Sequence, residues 1–96
     1  LTGIKPTGMP HLGNYLGAIR PALNLAESYD ARYFIADYRS LNSIKEPGLL
    51  RQYSYEVAAC WLACGLDPEK TIIYRQSDVP ETFELTAMIM AFTPKG

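Results

Sequence analysis

The sequence predicts an α/β fold: half of a doubly wound parallel sheet with the element order β-α-β-α-β-α. Short apolar runs rich in β-branched and aromatic residues alternate with longer stretches of helical periodicity. Parallel strands need helical crossovers, which are right-handed almost without exception. No repeat, low-complexity segment or linker interrupts the pattern, so we expect residues 1–96 to form one small domain without an internal boundary.

The elements follow one another at short intervals. The apolar run at residues 1–4 is the first predicted strand, and a patterned stretch from 12 to 29 is the first predicted helix. The pattern then repeats twice, with strands predicted at 33–36 and 71–74 and helices at 49–64 and 81–92.

Prolines and one glycine mark the expected ends of these helices and one irregularity within them. Pro21 falls inside the first helix, where it removes a backbone hydrogen bond and clashes with the preceding turn, so we expect a kink or an early break near Arg20. Pro47 and Gly65 bracket the second helix, and Pro80 opens the third, in the order that helix starts and stops prefer.

One face of the second helix is predicted to be core. Apolar residues with three-and-four spacing are more typical of a helix face packed on a sheet than of an aromatic binding stripe. Structural zinc needs about four ligands, and a disulfide across one helical turn has unfavourable geometry. We therefore expect no metal site, and we expect the two cysteines to be core residues of this face: Tyr53, Val57, Cys60, Trp61 and Cys64.

The chemistry is predicted to lie between residues 3 and 17, which hold four glycines, two prolines and the only histidine. A strand that ends near glycine and leads into a helix presents unpaired backbone N–H groups and a positive dipole end, which attract phosphate. The spacing fits neither a Walker A loop nor a dinucleotide fingerprint, which disfavours the standard kinase, GTPase and dehydrogenase interpretations. A nucleotide site of another kind is predicted.

His11 and Asn14 stand three positions apart, on one face of the first helical turn. Both side chains can donate hydrogen bonds to phosphate oxygens. Gly13 leaves room for a flat ring such as adenine, and Thr7 adds a hydroxyl on the loop side. The alternative for His11 is a residue that only satisfies backbone groups at the helix start.

The tetrapeptide from His11 to Asn14, within the string GIKPTGMPHLGNYLGAIRP, resembles the signature of the class I aminoacyl-tRNA synthetases. Asn in the last place is similar to the tryptophanyl enzymes, since the tyrosyl enzymes usually carry His there. The strings FIADY at 34–38 and YRQSDVPE at 74–81 resemble the same family, so the resemblance covers nearly the whole chain.

This resemblance implies the N-terminal part of a Rossmann-like catalytic domain. The implied reaction is the activation of L-tryptophan by ATP, accompanied by Mg²⁺, and transfer of the product to tRNA(Trp). Attack of a carboxylate on the α-phosphate requires positioning and charge stabilisation more than proton transfer. The later phosphate loop and the anticodon-binding domain of the family lie outside these residues, so we expect the isolated segment to be poorly active.

The resemblance also assigns roles to single residues. His11 and Asn14 are the implied catalytic residues, and the amino-acid pocket is implied at Leu1, Gly3, Asp37 and Arg39. Arg39 departs from the family's Asp-x-His-Ala/Ser element, and Asp37 has the alternative role of capping a strand end. Lys5 stands where the family often has Gln. The implied ATP contacts are Lys5, Pro6, Thr7, Gly8, His11, Gly13 and Asn14.

Composition and charge limit which partners this segment is expected to bind. Nine basic and ten acidic residues give a net charge of −1, and no basic stripe is visible, so this segment alone is not expected to hold tRNA tightly. The sequence shows no signal peptide and no apolar run of spanning length, which favours the cytoplasm or an organelle matrix over a membrane. The resemblance implies a homodimer.

Three alternatives stay open at this point. Two are enzymes related to the same superfamily, a tyrosyl-type synthetase and an adenylyltransferase. The third is a non-catalytic, synthetase-like module that binds a nucleotide, an interpretation that Arg39 favours.

Overall fold

The computed structural model describes residues 1–95 and contains a three-stranded parallel sheet. The strands are β1 (Thr2–Ile4), β2 (Arg32–Ile35) and β3 (Ile72–Arg75), and β2 lies between the other two. Gly3 pairs with Phe34, which in turn pairs with Tyr74. The predicted α/β fold with parallel strands is confirmed.

Helices connect these strands. The first connection consists of α1 (Leu12–Asn14), a π-helical turn (Tyr15–Ile19) and α2 (Arg20–Ala26). The second connection contains α3 (Asp37–Ser40) and the long helix α4 (Pro47–Ala63). After β3 come a 3₁₀ turn (Gln76–Asp78) and α5 (Glu81–Met90). Each predicted strand and helix is present, whereas α3 and the 3₁₀ turn were not predicted.

The predicted discontinuity near Arg20 takes the form of a widened turn. The backbone stays helical at Arg20, with φ −59° and ψ −48°, so the helix does not break there. Instead the N–H of Arg20 donates to the carbonyl of Tyr15, five residues back, where an α-helix would bond four residues back. Pro21 then stands in the first turn of α2, a position that tolerates its missing N–H.

The core lies between one face of the sheet and the helices. Tyr33 and Ile35 alternate along β2 and are buried with Ile19, Val57 and Trp61. The Tyr33 and Trp61 rings stack with their centroids 4.7 Å apart. The predicted core face of α4 is confirmed at Val57 and Trp61.

Cys60 in α4 and Cys64 immediately after it are half-buried against this same core, and both are free thiols. Burial, together with the neighbouring Cys64, raises the pKa of the Cys60 thiol. Within residues 1–95 no group of three or more histidine, cysteine or acidic side chains is arranged to hold a metal ion. Tyr53, the remaining residue of the predicted stripe, is half-buried.

The opposite face of the sheet carries Gly3, Phe34 and Tyr74, whose paired strands place them side by side. The Phe34 and Tyr74 rings lie 6.1 Å apart. In the described part of the chain, none of the helices has the length and apolar character needed to cross a membrane.

Candidate nucleotide-binding site

The loops that follow the three strands lie at one edge of the sheet, because parallel strands end on the same side. The loop after β1 contains Lys5 to Pro10, β2 leads into Asp37, and β3 leads into Ser77. In open α/β sheets this carboxyl edge is where ligands bind. All of the ATP-binding residues implied for the chain lie in the β1 loop or at the helix start that follows it.

The loop after β1 is held at its start by a backbone hydrogen bond, while two of its side chains are exposed. The N–H of Ala36 donates to the carbonyl of Ile4 at 2.8 Å, which holds the end of β1 against β2. Pro6 is fully buried, so it supports the loop from below, whereas Lys5 and Thr7 are exposed. Gly8 has φ +151°, a conformation that favours glycine, and it turns the chain towards the helix.

His11 and Asn14 form a reciprocal capping box at the start of α1. The N–H of Gly13 donates to Nδ1 of His11 at 3.1 Å, and the N–H of His11 donates to Oδ1 of Asn14 at 2.9 Å. The backbone-satisfying alternative for His11 is therefore realised. Because Nδ1 accepts a hydrogen bond, the neutral imidazole carries its proton on Nε2.

This cap is compatible with phosphate binding. It occupies an acceptor atom of each side chain and leaves the Nε2 proton of His11 and the amide protons of Asn14 as donors. His11 is exposed and Asn14 is half-buried. The helix start thus presents two side-chain donors at the positive end of the helix dipole, an arrangement suited to an anion.

Gly13 has a neighbour that sequence reasoning missed. A Cβ at this position would stand 2.9 Å from Cε1 and 3.1 Å from Nδ1 of His11. The imidazole therefore fills the space beside Gly13, so the absence of a side chain lets the His11 cap form. The approach of an adenine ring to Gly13 stays a prediction.

Asp37 joins the ends of β2 and β3. The residue is 7 % exposed. Oδ1 accepts from the N–H of Ser77 at 3.1 Å and from the N–H of Tyr38 at 2.9 Å, while Oδ2 accepts from the Ser77 hydroxyl. The strand-end role considered for Asp37 is therefore present. Ser77 was not predicted; the available signal was that each residue is the second one after the end of its strand, and the two strands are neighbours.

A cavity of about 600 Å³ adjoins Asp37 on the side of α4. Its charged walls include Arg75, which donates to Asp78 at 2.6 Å. Hydrogen bonding within this exposed ion pair lowers the pKa of Asp78 and raises the pKa of Arg75. Other residues that line the cavity are Ile35, Pro47, Leu50, Arg51, Ser54, Tyr55 and Ala58.

The other residues implied for the amino-acid pocket have separate environments. A Cβ on Gly3 would stand 2.6 Å from the Phe34 ring, so Gly3 lies beneath that ring. Leu1 is 85 % exposed and lines a different groove, beside Pro21. Arg39 is exposed on α3 and forms no ion pair with a residue in the described range. Their shared pocket stays a prediction.

Comparison with known proteins identifies the class to which this fold and helix start belong. Residues 1–96 match the family model described as tRNA synthetases class I (W and Y), so the chain belongs to this family. Among curated relatives, the tryptophan–tRNA ligase of Neisseria meningitidis is 52% identical over 98 residues, which are 100% of this chain and 29% of that protein. The tryptophan–tRNA ligase of Xanthomonas campestris is 53% identical and is covered to 23%.

Solved structures agree with this assignment. The tryptophanyl-tRNA synthetase of Campylobacter jejuni, complexed with ADP and tryptophan, matches with a TM-score of 0.89 and 40% identity. The match covers 97% of this chain and 29% of that one. The tryptophanyl-tRNA synthetase of Mycoplasma pneumoniae matches with the same TM-score and 34% identity. The fold is therefore Rossmann-like, and the chain spans about a quarter of the length of its relatives.

Proposed function

We propose that this chain is the N-terminal part of the catalytic domain of a tryptophan–tRNA ligase. The whole enzyme would convert L-tryptophan and ATP to tryptophanyl-adenylate and pyrophosphate, and would then transfer the tryptophanyl group to tRNA(Trp). The observation that carries the proposal is the capping box at His11 and Asn14, which leaves a donor on each side chain available at a helix start on the carboxyl edge of the sheet. The identity to tryptophan–tRNA ligases supports the choice of amino acid.

In this proposal the helix start controls phosphate charge. A tryptophan carboxylate oxygen attacks the α-phosphorus, forming one P–O bond while the bond to pyrophosphate breaks and the electron pair leaves with the pyrophosphate. No proton has to move in this step. The Nε2 proton of His11 and the amide of Asn14 donate to phosphate oxygens as negative charge shifts, which stabilises the transition state. Lys5 and Thr7, exposed on the loop, supply a positive charge and a hydroxyl.

The other residues proposed to contact the nucleotide are assigned from their positions in the loop. The backbone at Gly8 and Gly13 borders the space in front of the helix start, and Pro6 supports that backbone from below. The loop from Lys5 to Asn14 contains no carboxylate, so these residues do not fit as ligands of Mg²⁺, which binds oxygen donors. We therefore propose no role for these residues in holding the Mg²⁺ ion.

For the amino-acid pocket, we propose roles for Gly3, which lies on β1, and for Asp37, which lies just after β2. Gly3 leaves room for the Phe34 ring on the open face, and Asp37 fixes the ends of β2 and β3. Leu1 and Arg39 are exposed, so each is proposed to contact the substrate only when the rest of the enzyme completes the pocket. We further propose one domain across residues 1–96, a homodimer, and a location in the cytoplasm or an organelle matrix.

The proposal is tested by ATP–pyrophosphate exchange with a full-length protein that carries this segment. Tryptophan, tyrosine and no amino acid are compared, and a His11→Ala variant is measured in parallel. Exchange that needs tryptophan and collapses in the variant supports the proposal. Exchange with tyrosine alone would identify a tyrosyl enzyme, and ATP binding without exchange would identify a non-catalytic module.

A further inference from the structure

We propose that Pro21 is a positioning residue for the nucleotide site, because it imposes the π-helical turn Tyr15–Ile19 and thereby sets the direction in which His11 and Asn14 face. The inference rests on the proposed function, namely that His11 and Asn14 bind ATP. Pro21 stands seven residues after Asn14, so the effect is transmitted through the helix.

The wide turn lies just before Pro21 in the chain. It ends at Ile19, and the N–H of Arg20 bonds to the carbonyl of Tyr15 immediately before Pro21. In a continuous α-helix, residue 21 would donate to the carbonyl of Gly17. Proline has no N–H to donate, and its ring clashes with the carbonyl four residues back. A wider turn relieves that clash without breaking the helix.

Glycine flexibility does not account for the wide turn. Gly17 lies within the wide turn, but it is not among the glycines with positive φ, which in the described chain are Gly8 and Gly65. A Cβ at position 17 would meet no atom within 4 Å. The turn therefore needs no residue without a side chain, and Pro21 is the chemical feature that distinguishes it.

The wide turn lies between the part of the helix that is anchored in the core and the cap at its start. Ile19 and Ala22 are 0% and 7% exposed, so the core fixes the helix on the C-terminal side of the turn. The cap at His11 and Asn14 lies on the N-terminal side. One extra residue per turn rotates one side relative to the other by about one residue step, roughly 100° in an α-helix. A uniform α-helix anchored at Ile19 would therefore turn the donors of the cap away from their present direction.

The test is Pro21→Ala in the full-length protein, with the affinity for ATP measured by calorimetry and the thermal unfolding midpoint measured alongside. We expect ATP to bind at least roughly fivefold more weakly. We expect the midpoint to stay the same or rise, because alanine supplies the N–H that proline lacks and lets a regular α-helical turn form. A purely structural proline would change the midpoint and leave ATP affinity unchanged.

Two control variants have matched chemistry. Pro47→Ala changes a proline at the first position of α4, where the missing N–H has no helical partner, and should leave ATP affinity unchanged. Gly17→Ala changes the wide turn itself without a steric contact and should also bind ATP normally. Pro21→Gln repeats the main test with another helix-forming residue, in case Pro21→Ala expresses poorly.

The outcomes separate this inference from the proposed function. ATP affinity within twofold of the parent in both Pro21 variants would overturn the inference, as would crystals of a variant that keep the bond from Arg20 to Tyr15. If the unsubstituted protein does not bind ATP, the proposed function fails. The hydrogen-bond pattern at Arg20 in the variant then still decides whether Pro21 imposes the wide turn.

Discussion

The imidazole of His11 lies so close to Gly13 that a Cβ at position 13 would stand 2.9 Å from its Cε1 atom. That contact links the two parts of the capping box, because the N–H of Gly13 is also the donor to Nδ1 of His11. The glycine and the histidine therefore act as one unit. Any side chain at position 13 pushes the ring away from the helix start.

Gly13→Ala is expected to weaken ATP binding by roughly tenfold, the effect of about 1.4 kcal/mol. The displaced imidazole loses its hydrogen bond and no longer holds its Nε2 proton in place. Stability should change little, because alanine is up to about 1 kcal/mol better than glycine within a helix and offsets part of the lost cap. Calorimetric titration with ATP measures the effect. Gly17→Ala, which has open space for its Cβ, is the control, and equal losses in both variants would contradict the prediction.

Asn14→Asp separates the capping role of this residue from its binding role. A carboxylate oxygen still accepts from the N–H of His11 and is favourable near a helix N-terminus, so the unfolding free energy should stay the same or rise by about 0.5 kcal/mol. The amide donor is lost and a negative charge faces the phosphates. We expect ATP affinity to fall by at least about tenfold.

The control for charge in that experiment is Asn24→Asp, at an exposed position of α2. It changes net charge equally and leaves the helix start intact, so ATP affinity should be unchanged. If Asn14→Asp bound ATP as tightly as the parent in the same titration, the Asn14 amide would not contact the nucleotide.

The sequence predicts the sheet and its helices well because their signals are local. The β-branched and aromatic runs define three strands, and helical crossovers require those strands to be parallel. By contrast, α3 and the 3₁₀ turn have four and three residues, too few to show a helical period. They form where the chain leaves a strand, so tertiary contacts at the strand ends specify them.

The residues of the candidate site also fall into those that the sequence predicts and those that it does not. His11, Gly13 and Asn14 lie within one helical turn, so their chemistry could be predicted from spacing. Ser77 could not be paired with Asp37, because 40 residues separate them and only the register of β2 and β3 brings them together. Pro21 gave the place of the helix irregularity. That the helix continues through this irregularity instead of breaking could not be predicted, because it depends on core contacts such as that of Ile19.

Ser77→Ala is expected to destabilise the protein by about 1–3 kcal/mol, because the buried Asp37 carboxylate loses a hydroxyl donor in a site that water reaches poorly. The N–H of Ser77 remains as a donor, so the fold should persist. Urea denaturation of the full-length protein measures the change. Ser43→Ala, at an exposed position, should be neutral within about 0.5 kcal/mol, and a matching result for Ser77→Ala would contradict the bridging role.

Tyr33→Phe should reveal a pH dependence that originates in the core. The Tyr33 hydroxyl donates to the carbonyl of Ala22 at 2.6 Å, and burial raises the pKa of Tyr33 above its usual value of about 10. The fold therefore favours the neutral phenol. Its contribution is fully present below about pH 10 and is lost as the pH rises through the higher folded pKa.

At neutral pH, Tyr33→Phe should cost about 1 kcal/mol, the typical value of one hydrogen bond. The variant should also lose less stability than the parent as the pH rises above about 10, because it has no phenol to ionise at this position. Urea denaturation midpoints at neutral and alkaline pH measure both effects, with Tyr29→Phe, which is 70% exposed, as the control. If parent and Tyr33→Phe lost stability in parallel at alkaline pH, ionisation of Tyr33 would not be linked to unfolding, and the hydrogen bond to Ala22 would be its only contribution.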